Sequence, residues 1–171
     1  PLPGFAEHYV PLQPHLLAPA AHWAGKVLGE GFGKLLDMLP EGRPIGGPPL
    51  QDRYEPTGAA RAPRPTKVAL FTGCVGGLFF HETHRKAVAL LRHFGCEVIV
   101  PRRQVCCGAI AHHAGCPEEA VRFARRNIET FVEADVVVNA IAGCGAMLKE
   151  YDHLFRDDAA WAGQAGDFAR K

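Results

Sequence analysis

Three short apolar runs stand out in the hydrophobic pattern of the chain. They are KVALFTG (67–73), CEVIVP (96–101) and DVVVNAI (135–141). The first run stops at a glycine and the second at a proline. Short apolar runs bounded by such residues are typical of buried strands. We therefore predict three strands at these positions.

Apolar residues at helical spacing follow each predicted strand. Thr83 is expected to cap a helix that ends at Gly95, and Pro117 is expected to begin the next helix. The predicted helices cover 83–94, 117–134, 146–153 and, more weakly, 157–170.

The alternation of strands and helices predicts an α/β fold. We expect a three-layer, Rossmann-like parallel sheet with helices on both faces. Right-handed crossovers would place strand 67–72 in the middle, flanked by 96–100 and 135–141. In such a sheet, sites lie beyond the carboxyl ends of the strands.

The chain before the first predicted strand has a different texture. Residues 1–39 carry scattered apolar groups that fit short amphipathic helices over 15–29 and 31–38. Residues 40–66 are rich in proline and glycine and lack periodicity. We expect a helical interdomain segment (1–39), a linker (40–66) and a cysteine-rich domain (67–171).

Composition and charge bear on three classes of protein: nucleic-acid-binding, membrane-spanning and secreted. A net charge of +1 over 171 residues does not favour nucleic-acid binding, which usually requires a strongly basic face. The sequence contains neither an apolar run long enough for a membrane helix nor a signal peptide. We therefore expect a cytoplasmic protein in a reducing compartment. Because the chain begins at Pro1, we expect a fragment of a longer protein.

Four of the six cysteines share a position relative to the predicted strands. Cys74 follows the first strand, Cys106 and Cys107 follow the second, and Cys144 follows the third. Parallel strands would bring these thiols to one edge of the sheet. The remaining two, Cys96 and Cys116, are interpreted as structural cysteines. For Cys116 a ligand role stays open, because it precedes the helix at Pro117 and could approach the site from the loop.

Four thiolates suit either zinc or an iron–sulfur cluster. Structural zinc usually takes paired C-x2–4-C knuckles, which this sequence lacks, so the spacing favours a cluster. Glycines beside the cysteines would let the backbone approach a bulky cluster: Gly73, Gly108, Gly143 and Gly145. Two alternatives stay open, namely disulfides and a redox-active thiol pair at Cys106 and Cys107.

Three segments resemble the cysteine-rich CCG domain. They are TGCV (72–75), VPRRQVCCGAIAHHAG (100–115) and NAIAGCGAMLKEYDHLF (139–155). More narrowly, they are similar to the iron–sulfur subunit of glycolate oxidase (glycolate dehydrogenase). The broader domain also occurs in lactate-utilisation proteins, anaerobic glycerol-3-phosphate dehydrogenase and heterodisulfide reductase, so these systems remain alternatives.

The resemblance implies an oxidoreductase subunit with a 4Fe–4S cluster, of cubane or non-cubane type, held by Cys74, Cys106, Cys107 and Cys144. His113 matches a family histidine that could line this site. FAD-containing subunits would oxidise the 2-hydroxy acid, and this subunit would pass electrons to a respiratory acceptor, with peripheral association with the membrane. Met147 replaces the last cysteine of the family pattern. The alternative is therefore a cluster-free domain with a structural or subunit-interaction role.

Overall fold

The computed structural model describes residues 48–59 and 63–171. The helices expected over 15–29 and 31–38 lie outside the described residues. The last part of the expected linker and the whole expected cysteine-rich domain lie within them, apart from residues 60–62.

Four strands form one mixed sheet in the order β1-β3-β2-β4. The strands are β1 (Arg53–Tyr54), β2 (Lys67–Phe71), β3 (Glu97–Ile99) and β4 (Val136–Asn139). Both β3 and β4 pair in parallel with β2, which confirms the predicted α/β class and the predicted strand order.

The sequence did not predict β1, which pairs antiparallel with β3. This strand arises within the Pro/Gly-rich stretch 40–66. Arg53 lies opposite Ile99 and Tyr54 lies opposite Val98. A two-residue strand is too short to leave a period in the sequence, so only the pairing with β3 identifies it.

Among residues 48–59 and 63–171, seven helices accompany the sheet. They are α1 (Cys74–Phe79), α2 (His81–His93), α3 (Ala109–His113), α4 (Pro117–Thr130), α5 (Ala142–Lys149), α6 (Tyr151–Leu154) and α7 (Ala162–Ala169). The predicted cap at Thr83 is wrong, because α2 begins two residues earlier with Phe80 as its N-cap. Helix α1 was missed because its GG pair disfavours a helix in isolation.

Buried side chains form a core on each face of the sheet, because successive residues of a strand point to opposite faces. Ala69 and Phe71 of β2 belong to one core, which α4–α7 cover. Leu70 of the same strand belongs to the other core, where it packs with Val88 of α2. The expectation of helices on both faces is confirmed.

Polar contacts fix the edge of the sheet opposite the carboxyl ends of its parallel strands. Arg64 makes two hydrogen bonds of 2.8 Å to the carboxylate of Asp135, just before β4. The hydrogen bond from Arg64 holds the pKa of Asp135 below its usual value.

In the described part of the chain, no helix has both the length and the apolar character required to cross a membrane.

Candidate metal centre at the thiol edge

Four thiols meet at the carboxyl edge of the parallel strands, and we call this group the thiol edge: Cys74, Cys106, Cys107 and Cys144. Cys74 begins α1 directly after β2, whereas Cys106 and Cys107 lie in the loop between β3 and α3. Cys144 lies in the first turn of α5, which begins at Ala142 and thus earlier than the helix predicted over 146–153.

The four thiols lie close to one another. The Sγ atoms of Cys74 and Cys106 lie 3.6 Å apart. The thiols of Cys107 and Cys144 are near enough to shift the pKa values within the group. Residues that lie far apart in sequence thus share one continuous sulfur surface.

The pKa shifts differ among the four thiols. The hydrogen bond to Cys106, together with burial, raises the pKa of Cys74. At Cys107 the interaction with the thiol of Cys106 lowers the pKa, but the interaction with the thiol of Cys144 and burial raise it to about 11. The interaction with the thiol of Cys107 lowers the pKa of Cys144. Cys144 is thus the one thiol of these four whose pKa is lowered.

Backbone amides also approach the vicinal pair. The N–H of Gly108 lies 3.4 Å from the Sγ of Cys106, and the N–H of Ala109 hydrogen-bonds to the thiol of Cys107. Gly108 has φ of 90°, a left-handed conformation that glycine adopts without strain. Such amides favour the thiolate form, which is the form that binds metal.

A buried polar pair, Asn127 of α4 and Tyr151 of α6, makes hydrogen bonds to the backbone of the loop that carries Cys106, Cys107 and Gly108, which we call the CCG loop. The Nδ2 of Asn127 donates to the carbonyl of Cys106 at 3.0 Å and to the hydroxyl of Tyr151 at 3.0 Å. That hydroxyl donates to the carbonyl of Cys107 at 2.9 Å. The Oδ1 of Asn127 accepts the N–H of Val105 at 3.0 Å. Both side chains are 0% exposed.

Gln104 joins the loop after β3 to the end of β2. Its Oε1 accepts the backbone N–H of Thr72 at 2.8 Å. Its Nε2 donates to the carbonyls of Pro101 at 3.0 Å and Leu70 at 3.3 Å. This side chain therefore fixes the Cys74 loop relative to the Cys106 loop.

Sequence reasoning missed these supporting residues, although a signal existed for one of them. Asn127 is a polar residue on the apolar face of α4, at helical spacing from Ala124 and Phe131. A polar residue at such a position must find a partner when it is buried. Gln104 lies in an irregular loop, where no sequence period marks it.

The other predicted site residues are three glycines and His113, and the structure places them differently relative to the thiols. Gly73 (φ of 66°) is close, because a Cβ there would lie 3.6 Å from the Sγ of Cys144. Gly143 and Gly145 lie within α5, the latter against the side chain of Asn139. His113 is exposed on α3, where its ring meets that of His112.

Three further residues are not part of the thiol edge. Cys96 immediately precedes β3, at the opposite edge of the sheet, and Cys116 is the N-cap of α4. Met147 is 3% exposed and packs in the core that also contains Cys106 and Cys107. Its side chain therefore contributes to packing at a position where the CCG pattern has a cysteine.

A second buried polar side chain, His84 of α2, supports the Cys74 side of the thiol edge. It is 1% exposed, and neither ring nitrogen has a hydrogen-bond partner among the described residues. A Cβ at Gly76 of α1 would lie 3.4 Å from its Cε1 and 2.4 Å from the Cδ1 of Ile141. Burial, and secondarily the neighbouring His81, lowers the pKa of His84.

The thiol edge supplies the ligand type that iron–sulfur clusters take. Such clusters are held by cysteine thiolates, and backbone N–H groups lie beside Cys106 and Cys107. Within residues 48–59 and 63–171, no group of three or more His, Cys, Asp or Glu side chains is arranged to hold a metal ion.

Part of this chain is similar to known proteins. Residues 68–149 match the family model of the CCG cysteine-rich domain. A probable glycolate oxidase iron-sulfur subunit of Bacillus subtilis is 38% identical over 111 residues. Lactate utilization protein A is 43% identical over 105 residues in Bacillus licheniformis and 40% identical over 105 residues in Bacillus subtilis. No solved structure gives a significant match.

The chain is shorter than these relatives. The aligned part covers 64% of this chain but 25% of the glycolate oxidase subunit. It covers 61% of this chain and 44% of lactate utilization protein A from Bacillus licheniformis. The similarity therefore concerns one segment of each relative.

Proposed function

We propose that this chain holds the iron–sulfur centre of an electron-transfer subunit in a complex that oxidises a 2-hydroxy acid. The match of residues 68–149 to the family model of the CCG cysteine-rich domain supports this proposal. The observation that carries the proposal is the thiol edge, where four cysteines from three segments meet. Relatives named for glycolate oxidation and lactate utilization support the substrate class.

The proposed ligands are Cys74, Cys106, Cys107 and Cys144, and the proposed cofactor is a 4Fe–4S cluster. When bound, the cluster supplies one-electron transfer. The protein supplies thiolates, excludes water from the buried pair Cys106 and Cys107, and directs backbone N–H groups toward their sulfurs. Gly73 and Gly108 would let the backbone approach the cluster, as would Gly143 and Gly145, and His113 would line its outer side.

The partners belong to the same proposal. FAD-containing subunits would remove the electrons from the 2-hydroxy acid, and this subunit would carry them toward a respiratory acceptor. The work would take place in the cytoplasm or at the inner face of the cell membrane. Substrate oxidation itself would occur on the flavin subunit, so no residue of this chain receives a catalytic role.

A second candidate function is that of a cluster-free domain that serves subunit assembly. The buried position of Met147 favours it, because that side chain packs in the hydrophobic core. A thioether cannot replace a thiolate as a charged ligand, so the complete family ligand set is absent. The two candidates differ in whether the remaining four thiols suffice to hold iron.

Anaerobic purification and reconstitution of the full chain with ferrous iron and sulfide test the proposal. We expect about four iron and four sulfide per chain and the absorption of an iron–sulfur cluster. Replacement of Cys106 by serine should abolish iron binding. The matched variant Cys96→Ser should retain the wild-type iron content, because Cys96 lies at the opposite edge of the sheet.

A colourless wild-type protein that folds equally well with Cys106→Ser would reject the cluster and support the assembly role. Turnover of thiols and disulfides by the metal-free protein would instead support a redox-active Cys106–Cys107 pair.

A further inference from the structure

We propose that Asn127 and Tyr151 are positioning residues that aim two backbone N–H groups at the thiol edge and thereby raise the reduction potential of the cluster. The part that concerns the potential rests on the function proposed above. The part that concerns the backbone stands on the geometry of the CCG loop alone. Neither side chain is proposed to touch the cluster.

Two peptide units of the CCG loop, Cys106–Cys107 and Cys107–Gly108, are oriented by these side chains. Both are trans, and the C=O and N–H of a trans unit point in opposite directions. Asn127 holds the first carbonyl at 3.0 Å, and Tyr151 holds the second at 2.9 Å. The N–H groups of Cys107 and Gly108 must therefore point away from the Asn127–Tyr151 pair.

The second N–H group points to a sulfur. The backbone nitrogen of Gly108 lies 3.4 Å from the Sγ of Cys106. The hydrogen bond from Tyr151 to the carbonyl of Cys107 fixes the plane of the Cys107–Gly108 peptide. The orientation of that plane in turn directs the N–H of Gly108 toward the Sγ of Cys106.

The pair is held in place and cannot turn freely. The Oδ1 of Asn127 accepts the N–H of Val105, so this amide holds the loop on both sides of the Val105–Cys106 step. The ring of Tyr151 stacks on that of Phe168 with centroids 5.3 Å apart. The hydroxyl of Tyr151 donates to the carbonyl of Cys107 at 2.9 Å and accepts the Nδ2 of Asn127 at 3.0 Å, so both of its polar contacts are fixed.

Reduction adds negative charge to a cluster, and N–H donors to its sulfurs stabilise that charge. Donors that are already directed by the fold need no reorganisation when the electron arrives. Removing the hydroxyl of Tyr151 releases the Cys107–Gly108 peptide and weakens this stabilisation. The reduction potential should then become more negative while the four thiolate ligands remain.

The test first measures amide exchange in the metal-free wild-type chain by NMR. The N–H groups of Cys107 and Gly108 should be protected; if they exchange as fast as an open loop, the proposal is overturned. Tyr151→Phe keeps the stacked ring and removes only the hydroxyl. It should speed exchange at Gly108 by about fivefold. Tyr54→Phe, which removes a hydroxyl near β1, is the matched control and should change nothing at Gly108.

The reconstituted protein provides the second measurement. Tyr151→Phe should retain the wild-type iron content and show a more negative reduction potential, whereas Tyr54→Phe should keep the wild-type potential. An unchanged exchange rate at Gly108 in Tyr151→Phe overturns the positioning role. An unchanged potential overturns its link to the cluster. A wild-type chain that takes up no iron rejects the proposed function, and the exchange data then decide the positioning role by themselves.

Asn127→Asp provides a second test. It keeps the acceptor for Val105 and removes the Nδ2 donor to both the carbonyl of Cys106 and the hydroxyl of Tyr151. Faster exchange at the N–H of Cys107 is expected, because that N–H shares a peptide unit with the released carbonyl. A wild-type exchange rate at Cys107 in this variant contradicts the proposal.

Discussion

Two buried polar side chains support the thiol edge, and they differ in how their polar atoms are satisfied. Asn127, behind the CCG loop, is 0% exposed and makes hydrogen bonds through both amide atoms. His84, behind α1, is 1% exposed, and its ring nitrogens have no partner among the described residues. The CCG loop is therefore held in one arrangement, whereas the support of the Cys74 segment is less specific.

The difference extends to the contacts around each side chain. A Cβ at Gly108 would meet backbone atoms of Ala120, which cannot move without shifting α4. A Cβ at Gly76 would meet the end of the Ile141 side chain, which can adopt another rotamer. Two of the four thiols thus lie on a rigid support, and Cys74 lies on a more adjustable one. Each prediction below tests one side of this comparison.

The largest effect is expected from Asn127→Ala. The substitution leaves the N–H of Val105 and the carbonyl of Cys106 buried without their partner, at a cost of about 3 kcal/mol in the free energy of unfolding. Urea denaturation measures this loss. Gln164→Ala, at an exposed position of α7, should change stability by less than about 0.5 kcal/mol. Equal stabilities of the two variants would show that the CCG loop does not depend on the amide.

A matched pair of glycine substitutions should give the next effect. Gly108→Ala forces a side chain into φ of 90° and places its Cβ 3.2 Å from the Cα of Ala120. We expect a loss of about 2 kcal/mol, again measured in urea. In Gly76→Ala, the gain in helix propensity offsets the displacement of Ile141, so the change should stay within about 1 kcal/mol. A reversed order would contradict the distinction between a rigid and an adjustable support.

The sequence predicted what depends on period and spacing, which includes the strand order and the meeting of the four thiols. The supporting contacts follow from other physics. Asn127 was recognisable only as a polar residue on an apolar helix face, and its partners lie on the loop after β3 and on α6. Arg64 lies in the predicted linker, yet it pairs with Asp135 across the sheet edge. Such pairs join distant residues through side-chain geometry, which leaves no local pattern.

The smallest effect concerns His84 and depends on pH. Because burial lowers the pKa of His84, the folded protein keeps the ring neutral at a pH where the unfolded chain protonates it. Above the ordinary pKa of about 6.5, this group does not change the free energy of unfolding with pH. As the pH falls from there toward the lowered pKa of His84 in the folded state, the free energy of unfolding declines. His84→Leu removes both unpaired nitrogens. It should raise stability at pH 7 by up to about 1 kcal/mol and flatten the acid slope of the stability curve below pH 6.5.

Urea denaturation at several pH values from 7 to about 5 measures that slope. His112→Gln is the matched control, because His112 is exposed on α3 and should leave the acid slope unchanged. If His84→Leu keeps the wild-type slope, the ring has a partner at low pH. Both buried groups would then be satisfied, and the Cys74 segment would be held as firmly as the CCG loop.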